Sequence, residues 1–383
     1  MSFIIIGGGG YIGFHIGKAL LLAGFKVTLL DIRLPSHEWL FKTCLPSSYL
    51  MEGITEEPFF EDHNFSTSSG DIDNHKILSM NDGKNEYLMD FYKVDIRDIH
   101  LLEFYMNEVK DPECVIHTAS FGMSGISQLP RHAEIMEEVN IQGLKNVIEI
   151  AANIGVKAIV YTSTYNVVFG GEPIKGGDED LEYFPLYRHV DNYSKTKSIA
   201  EQILLTADKK NGMRTCSLRL AGVMGPMEER HLPRIVSNID KRRLVINYMD
   251  EGGAVVDFVG IQNVVQAHVR AALKLLNDPS KVGGAYFISD GAPINNMEYF
   301  RPLIKARGRS YPRLYIPMIV MFIIVCIIEF MANILNISPL LTRAELFKTG
   351  VSHYFSIKKA QKDFSYRPTK PNDMSLITKY YSR

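Results

Sequence analysis

Residues 2–13, Ser2-Phe3-Ile4-Ile5-Ile6-Gly7-Gly8-Gly9-Gly10-Tyr11-Ile12-Gly13, pass from an apolar run straight into four glycines. The run is too short for the core of a secretory signal, and Phe3 to Ile6 has the composition of a buried strand. A helical pattern, Tyr11 to Ala23, and a second strand, Lys26 to Asp31, complete the opening βαβ unit of a parallel sheet. Gly7, Gly10 and Gly13 keep the spacing G-x-x-G-x-x-G between strand and helix. Glycine is required there for a tight turn, for close approach of a pyrophosphate to the backbone, and for close packing of helix on strand. Asp31 ends the second strand roughly 20 residues on, where a carboxylate binds adenosine ribose hydroxyls. A carboxylate there repels a 2′-phosphate and selects NAD over NADP, although the Arg33 guanidinium, read mainly as solvated, is a candidate partner for that phosphate.

Strand and helix patterns continue outward from this unit. Phe91 to Asp95, Val115 to Ser120, Ala158 to Thr164 and Thr215 to Ala221 read as strands, and Leu101 to Lys110, Met136 to Asn153 and Asn192 to Asp208 as helices. The expected fold class is α/β, a doubly wound parallel sheet of the NAD(P)-binding Rossmann type in residues 1–225. Residues 33–90, with Pro35, Pro46, Pro58 and several Ser, Asn and Gly, read as a partly disordered surface insertion. Residues 226–383 form a smaller substrate-binding and C-terminal portion.

Composition narrows the function. With 46% hydrophobic and 22% charged residues the chain should fold, and a net charge of -1 without a basic stripe argues against nucleic acid as a partner. Cys44, Cys114, Cys216 and Cys326 are dispersed without C-x-x-C spacing and read as reduced thiols. None of the eleven histidines forms an H-x-x-x-H or H-E-x-x-H pattern, so no metal is expected.

Tyr193 and Lys197 are four residues apart on a predicted helix and therefore share a face. A phenol of pKa about 10 is a poor base at neutral pH. An ammonium at about 4 Å contributes up to ~4 kcal/mol at an effective dielectric near 20, enough to bring the phenol close to working pH. The pair follows the strand ending Tyr161-Thr162-Ser163-Thr164, whose hydroxyls lie at the carboxyl edge of the sheet, where such folds bind ligands. A non-catalytic dinucleotide sensor or membrane scaffold has no need of this combination.

The chain resembles the 3β-hydroxysteroid dehydrogenase/isomerase family of extended short-chain dehydrogenases, most closely its 42E branch. The resemblance rests on the glycine turn, on Val94 to Asp98, on Val115-Ile116-His117-Thr118-Ala119-Ser120, and on Val139-Asn140-Ile141-Gln142-Gly143. It continues through Tyr161 to Thr164, Tyr193 to Lys197, Leu218 to Pro226 and Val256 to Val264. It implies that Tyr193 is the general acid/base and that Lys197 holds the nicotinamide ribose and lowers the phenol pKa. Thr164 aligns with the substrate-orienting hydroxyl, where the family usually has Ser, and Ser163 is a second candidate. Gly7, Gly10, Tyr11, Ile12, Gly13, Asp31, Asp95, Ile96, Thr118 and Ala119 are implied to contact the cofactor. Asn140 is implied to organise a proton relay, with a helix-kink or capping role as the alternative. His117 reads as structural.

Leu314 to Ile328 is an uncharged apolar run, broken by Glu329 and resumed from Phe330 to Leu335. It is shorter than the ~20 residues of a spanning helix and leaves three readings: a tilted anchor, a monotopic segment or a buried helix. Lys305, Arg307, Arg309 and Arg313 give it a cationic flank typical of the cytoplasmic side. The resemblance favours association with the endoplasmic reticulum membrane, a catalytic domain facing the cytosol and an apolar sterol or steroid substrate; a homodimer is one open oligomeric state. The expected function is NAD-dependent oxidation or reduction at a carbinol, with double-bond isomerisation within the family's reach. The alternative is a nucleotide-sugar epimerase or dehydratase that retains its NAD.

Overall fold

The computed structural model describes all residues except 37–38, 40–41, 44–60, 63, 70–73, 82–85, 124, 244–252, 313–315 and 383. Cys44, Arg313, Leu314 and much of the expected 33–90 insertion lie outside the described residues.

The opening unit is as the glycine turn dictates: β1 (Ser2–Ile6), α1 (Tyr11–Leu22) and β2 (Lys26–Asp31). Three further strands of the same sheet follow, β3 (Asn64–Ser69), β4 (His75–Asn81) and β5 (Glu86–Lys93). Then come α2 (Ile99–Glu108), β6 (Cys114–His117), α3 (Gly143–Asn153), β7 (Ala158–Thr164) and α4 (Asn192–Thr206). The main sheet is completed by β8 (Arg214–Leu220), α5 (Ile261–Asn277) and β9 (Gly284–Ile288). Nine strands pair in the order β9-β8-β7-β6-β1-β2-β5-β4-β3. All pairings from β9 to β5 are parallel, whereas β4 and β3 add antiparallel hairpins at the edge. The 33–90 segment therefore contributes sheet as well as surface loop, and the strand expected to begin at Phe91 begins at Glu86.

Chain order reverses between β1 and β6, the topological switch point where doubly wound sheets bind their ligands. Strand alternation divides the core. Phe3 and Ile5 pack with Phe14 and Leu20 of α1 and Val264 of α5, while Ile4 and Ile6 face Leu102 and Met106 of α2, Leu144 and Val147 of α3 and Leu204 of α4. Each fully buried side chain of this kind contributes about 1.5–3 kcal/mol, so β1 is held from both sides. Cys114 and Cys216 are buried free thiols in this core.

Beyond β8 a third apolar cluster, including Leu232, Val236, Phe258, Tyr299 and Leu303, takes in Val256 and Ile294 of a four-stranded sheet built from Ile174–Gly177, His353–Phe355, Val255–Val256 and Ile294–Asn295, whose Ile174 and Phe355 join the first core instead. The apolar run forms α6 (Met318–Leu335), followed by α7 (Arg343–Gly350). Met321, Val325 and Ala332 of α6 are buried, the first two against Leu346 of α7, but Ile319, Ile323, Ile327, Phe330 and Ile334 are all more than half exposed. The buried-helix reading of this segment is thereby corrected: only one stripe of α6 meets protein. Glu329, which interrupts the run, accepts hydrogen bonds from the Arg343 backbone N–H at 2.6 Å and guanidinium at 2.7 Å, so its charge is paired on the protein side.

Candidate active site

The first wall of the site is the glycine turn. Gly7 has φ +84°, and a Cβ there would lie 2.5 Å from the Ala119 nitrogen; one on Gly13 would lie 2.3 Å from the Gly7 carbonyl oxygen. Thr118 donates its hydroxyl proton toward the Ile6 and Gly7 carbonyls at 3.0 and 3.2 Å, so Thr118 and Ala119 brace the turn from β6. Gly10 caps α1 without a side-chain hydrogen bond, at the helix end whose dipole favours an anion. Tyr11 donates its hydroxyl proton to the Pro226 carbonyl at 2.9 Å, and Ile12 packs against the core.

Asp31 accepts hydrogen bonds from the backbone N–H groups of Gly9 (2.9 Å) and Arg33 (3.2 Å). Burial raises its pKa against those bonds. Arg33 extends toward Glu229, with 3.8 Å between the charged groups, which turns its guanidinium to a carboxylate. Asp95 is held below the usual carboxylate range: burial pulls it upward, but Arg97 bonds both its oxygens and dominates. Ile96 is buried against Gly143, and its carbonyl accepts from Asn146.

The second wall is α4, whose N-terminus is capped by Asp191 accepting from the Ser194 backbone N–H at 2.7 Å. Tyr193 and Lys197 are both buried on this helix. Burial pushes the Tyr193 phenol up to about 12; Arg230 and a hydrogen bond with Ser120 pull the other way. Arg230 is thus a further cation acting on the phenol, one that the spacing of Tyr193 and Lys197 does not announce. Lys197 instead donates to the Tyr161 hydroxyl and the Thr162 carbonyl, each at 2.6 Å. Burial lowers its pKa to about 7, with Glu201 opposing.

The hydroxyl strand β7 splits by alternation. Tyr161 and Ser163 share one face, and the Ser163 hydroxyl is buried with no hydrogen-bond partner among the described residues. Thr162 and Thr164 share the other, where Thr162 meets the His268 Nε2 at 2.8 Å and the Thr164 hydroxyl accepts from the Asn166 backbone N–H at 3.3 Å. Asn140 occupies a π turn, Glu138–Gln142, ahead of α3. Its amide nitrogen donates to the Phe121 carbonyl and the Thr196 hydroxyl, both at 2.9 Å, and its oxygen accepts from the Phe121 N–H at 2.8 Å. Asn140 thus ties the loop after β6 to the neighbour of Lys197. His117 is buried and stacks on Tyr161, and burial lowers its pKa to about 3.

Sequence reasoning passed over Ser120 and Arg230 as site residues and treated Tyr161 only as strand. Ser120 closes the run Val115-Ile116-His117-Thr118-Ala119-Ser120, so its hydroxyl was available as a signal; Arg230 lies in a loop whose return to α4 no local pattern announces.

Residues 68–317 match the profile of the 3-beta hydroxysteroid dehydrogenase/isomerase family. The chain belongs to that family. It is 39% identical to the short-chain dehydrogenase/reductase family 42E member 1 of Danio rerio, over 99% of this chain and 88% of the relative, and 38% identical to its Homo sapiens counterpart, over 99% and 87%. A 3 beta-hydroxysteroid dehydrogenase/Delta 5→4-isomerase of Mycobacterium tuberculosis is 30% identical over 69% of this chain and 71% of the relative. Among solved structures, the UDP-glucose 4-epimerase of Thermus thermophilus superposes with TM-score 0.65 at 20% identity, covering 100% of this chain and 99% of that one. At that identity the likeness shows the fold. This family member is an oxidoreductase acting on CH–OH groups, with NAD as its cofactor: the uncapped glycine turn fits a pyrophosphate and the Asp31 carboxylate fits unphosphorylated ribose.

Proposed function

We propose that this enzyme oxidises the 3β-hydroxyl of a sterol or steroid, with Tyr193 as general base, and that it works at a membrane surface. The observation that carries the reading is the burial of Tyr193 and Lys197 on one helix beside the topological switch point, with the hydroxyls of Ser120, Ser163 and Thr164 on the two adjoining strand ends. Bound NAD supplies the acceptor for the carbinol hydride. Tyr193 removes the carbinol proton, and Arg230 and Ser120 stabilise its phenolate. Ser163 or Thr164 orients the substrate oxygen. Lys197, charged, holds the ribose.

The name of the mycobacterial relative supports the substrate class. The outward face of α6 supports the location: 18 residues of mean hydropathy 2.7 make about 27 Å of helix, with one stripe packed on the protein and Glu329 paired to Arg343. A helix tied to its own domain along its length suits a monotopic seat in one leaflet better than a span. Detergent-solubilised enzyme with NAD and a panel of 3β-hydroxysteroids and UDP-sugars tests the function. Net NADH formation with a steroid supports it, and sugar conversion without net NADH replaces it with the epimerase reading.

A further inference from the structure

Lys197 is enclosed by groups that take no direct part in the proposed proton and hydride transfer. It is 2% exposed, and its Nζ lies 3.9 Å from the centre of the Tyr161 ring, while the same residue's hydroxyl accepts its proton at 2.6 Å. A second proton goes to the Thr162 carbonyl at 2.6 Å. On the neighbouring strand β6, the His117 ring, in register with Tyr161, stacks on it with centroids 5.5 Å apart and planes at 21°, and neither of its nitrogens has a hydrogen-bond partner among the described residues. The groups facing the ammonium are therefore Tyr161 on β7, His117 on β6, and Tyr193 and Glu201 one turn before and after it on α4. Among them Glu201 is already bound by Arg219, Ser217 and Tyr183 at 2.7 to 2.9 Å.

An ammonium taken out of water loses its proton unless something replaces its hydration. A phenol oxygen and an aromatic face both favour the cation, whereas a neutral imidazole behind the ring adds no positive charge. We propose that Tyr161 is a positioning residue for the reaction: its hydroxyl and ring face hold Lys197 in place and keep it protonated within the sheet. This rests on the catalytic reading of Lys197 only for its consequence in turnover; the effect on the ammonium stands by itself. Tyr161 lies two residues before Ser163 on the same face of β7, so one strand sets both the lysine and a substrate-orienting hydroxyl.

The test is the titration of Lys197 in the full, detergent-solubilised chain labelled at lysine 13Cε, with its resonance assigned by its absence from Lys197→Arg. Tyr161→Phe keeps the ring and its packing but removes the acceptor. The expected result is a Lys197 midpoint lower than in the unmodified chain by about half a pH unit or more, roughly a threefold larger acid dissociation constant. Melting temperature and NADH binding establish that the variant is folded. In steady state the same variant should lower kcat and move the ascending limb of its pH profile upward while leaving KM for the alcohol unchanged. An unchanged midpoint in folded Tyr161→Phe overturns the proposal. Full turnover by Lys197→Met would instead overturn the catalytic reading of Lys197, leaving the titration to judge Tyr161.

Discussion

The Asp31 carboxylate accepts the Gly9 backbone N–H at 2.9 Å, so the residue that closes β2 reaches back across the turn that opens α1. The same carboxylate is the one that favours unphosphorylated ribose. Asp31→Ala should weaken NADH binding by about tenfold or more, one lost charge-assisted hydrogen bond being worth about 1.5–3 kcal/mol, and should narrow the preference for NADH over NADPH. Trp39, the chain's single tryptophan, supplies the readout. It packs on Tyr11 and Phe14 and donates to the Met227 carbonyl at 3.1 Å, beside the glycine turn. NADH titrated into the protein should quench its emission, and equal affinities for the two reduced cofactors in the unmodified enzyme would contradict the assignment.

The phenol of Tyr193 carries a second prediction. Burial holds it at about 12, so alcohol oxidation should accelerate with pH from 6 to 9, about tenfold per unit where one proton limits the rate. Arg230 lowers that phenol, and Arg230→Gln should move the ascending limb to higher pH. A limb that stays in place would remove Arg230 from the site.

Asp257 predicts how stability depends on pH. Its Oδ2 accepts the Phe355 N–H at 2.7 Å, and burial raises its pKa from 3.8 to about 7 against that bond and one from Ser289. A folded-state pKa above the unfolded one means that the unfolded chain releases the proton first. This group's contribution is therefore full below pH 3.8 and is lost as pH rises through 7. Asp257→Asn should raise stability at pH 8 by about 1–3 kcal/mol relative to the unmodified chain and have little effect at pH 4. Urea unfolding at the two pH values decides it, and equal effects at both would contradict it.

Much of the fold was legible because β1 and its glycines leave few alternatives: an apolar run of strand length, a turn that only glycine fits, and an aspartate at the next strand end. The β3–β4 hairpin was not legible. Asn64 to Ser69 carries one apolar residue, Phe65, among five polar ones, so its sequence shows no alternation with a period of two, and the antiparallel pairing with β4 is set by register alone. In the site, the helical spacing of Tyr193 and Lys197 gave their shared helix but not the direction of the ammonium. That direction is set by Tyr161 and the Thr162 carbonyl, on a strand more than 30 residues earlier, through contacts with no sequence period.

The outer face of α6 gives a prediction separable from folding. Ile323→Asp with Ile327→Asp places two charges on exposed positions and should leave the melting temperature within about 2 °C, since exposed substitutions cost little. It should release the enzyme from phospholipid vesicles in a flotation assay, because a buried charge at an interfacial helix opposes insertion. Flotation equal to that of the unmodified enzyme would contradict the membrane seat.

The most direct test of the central claim is NADH formation, followed by its absorbance, from NAD and a 3β-hydroxysteroid by the unmodified enzyme beside Tyr193→Phe. Steroid-dependent NADH is expected from the first and a loss of at least about a hundredfold in kcat in the second, with NAD affinity preserved. Equal rates from the two proteins would contradict it.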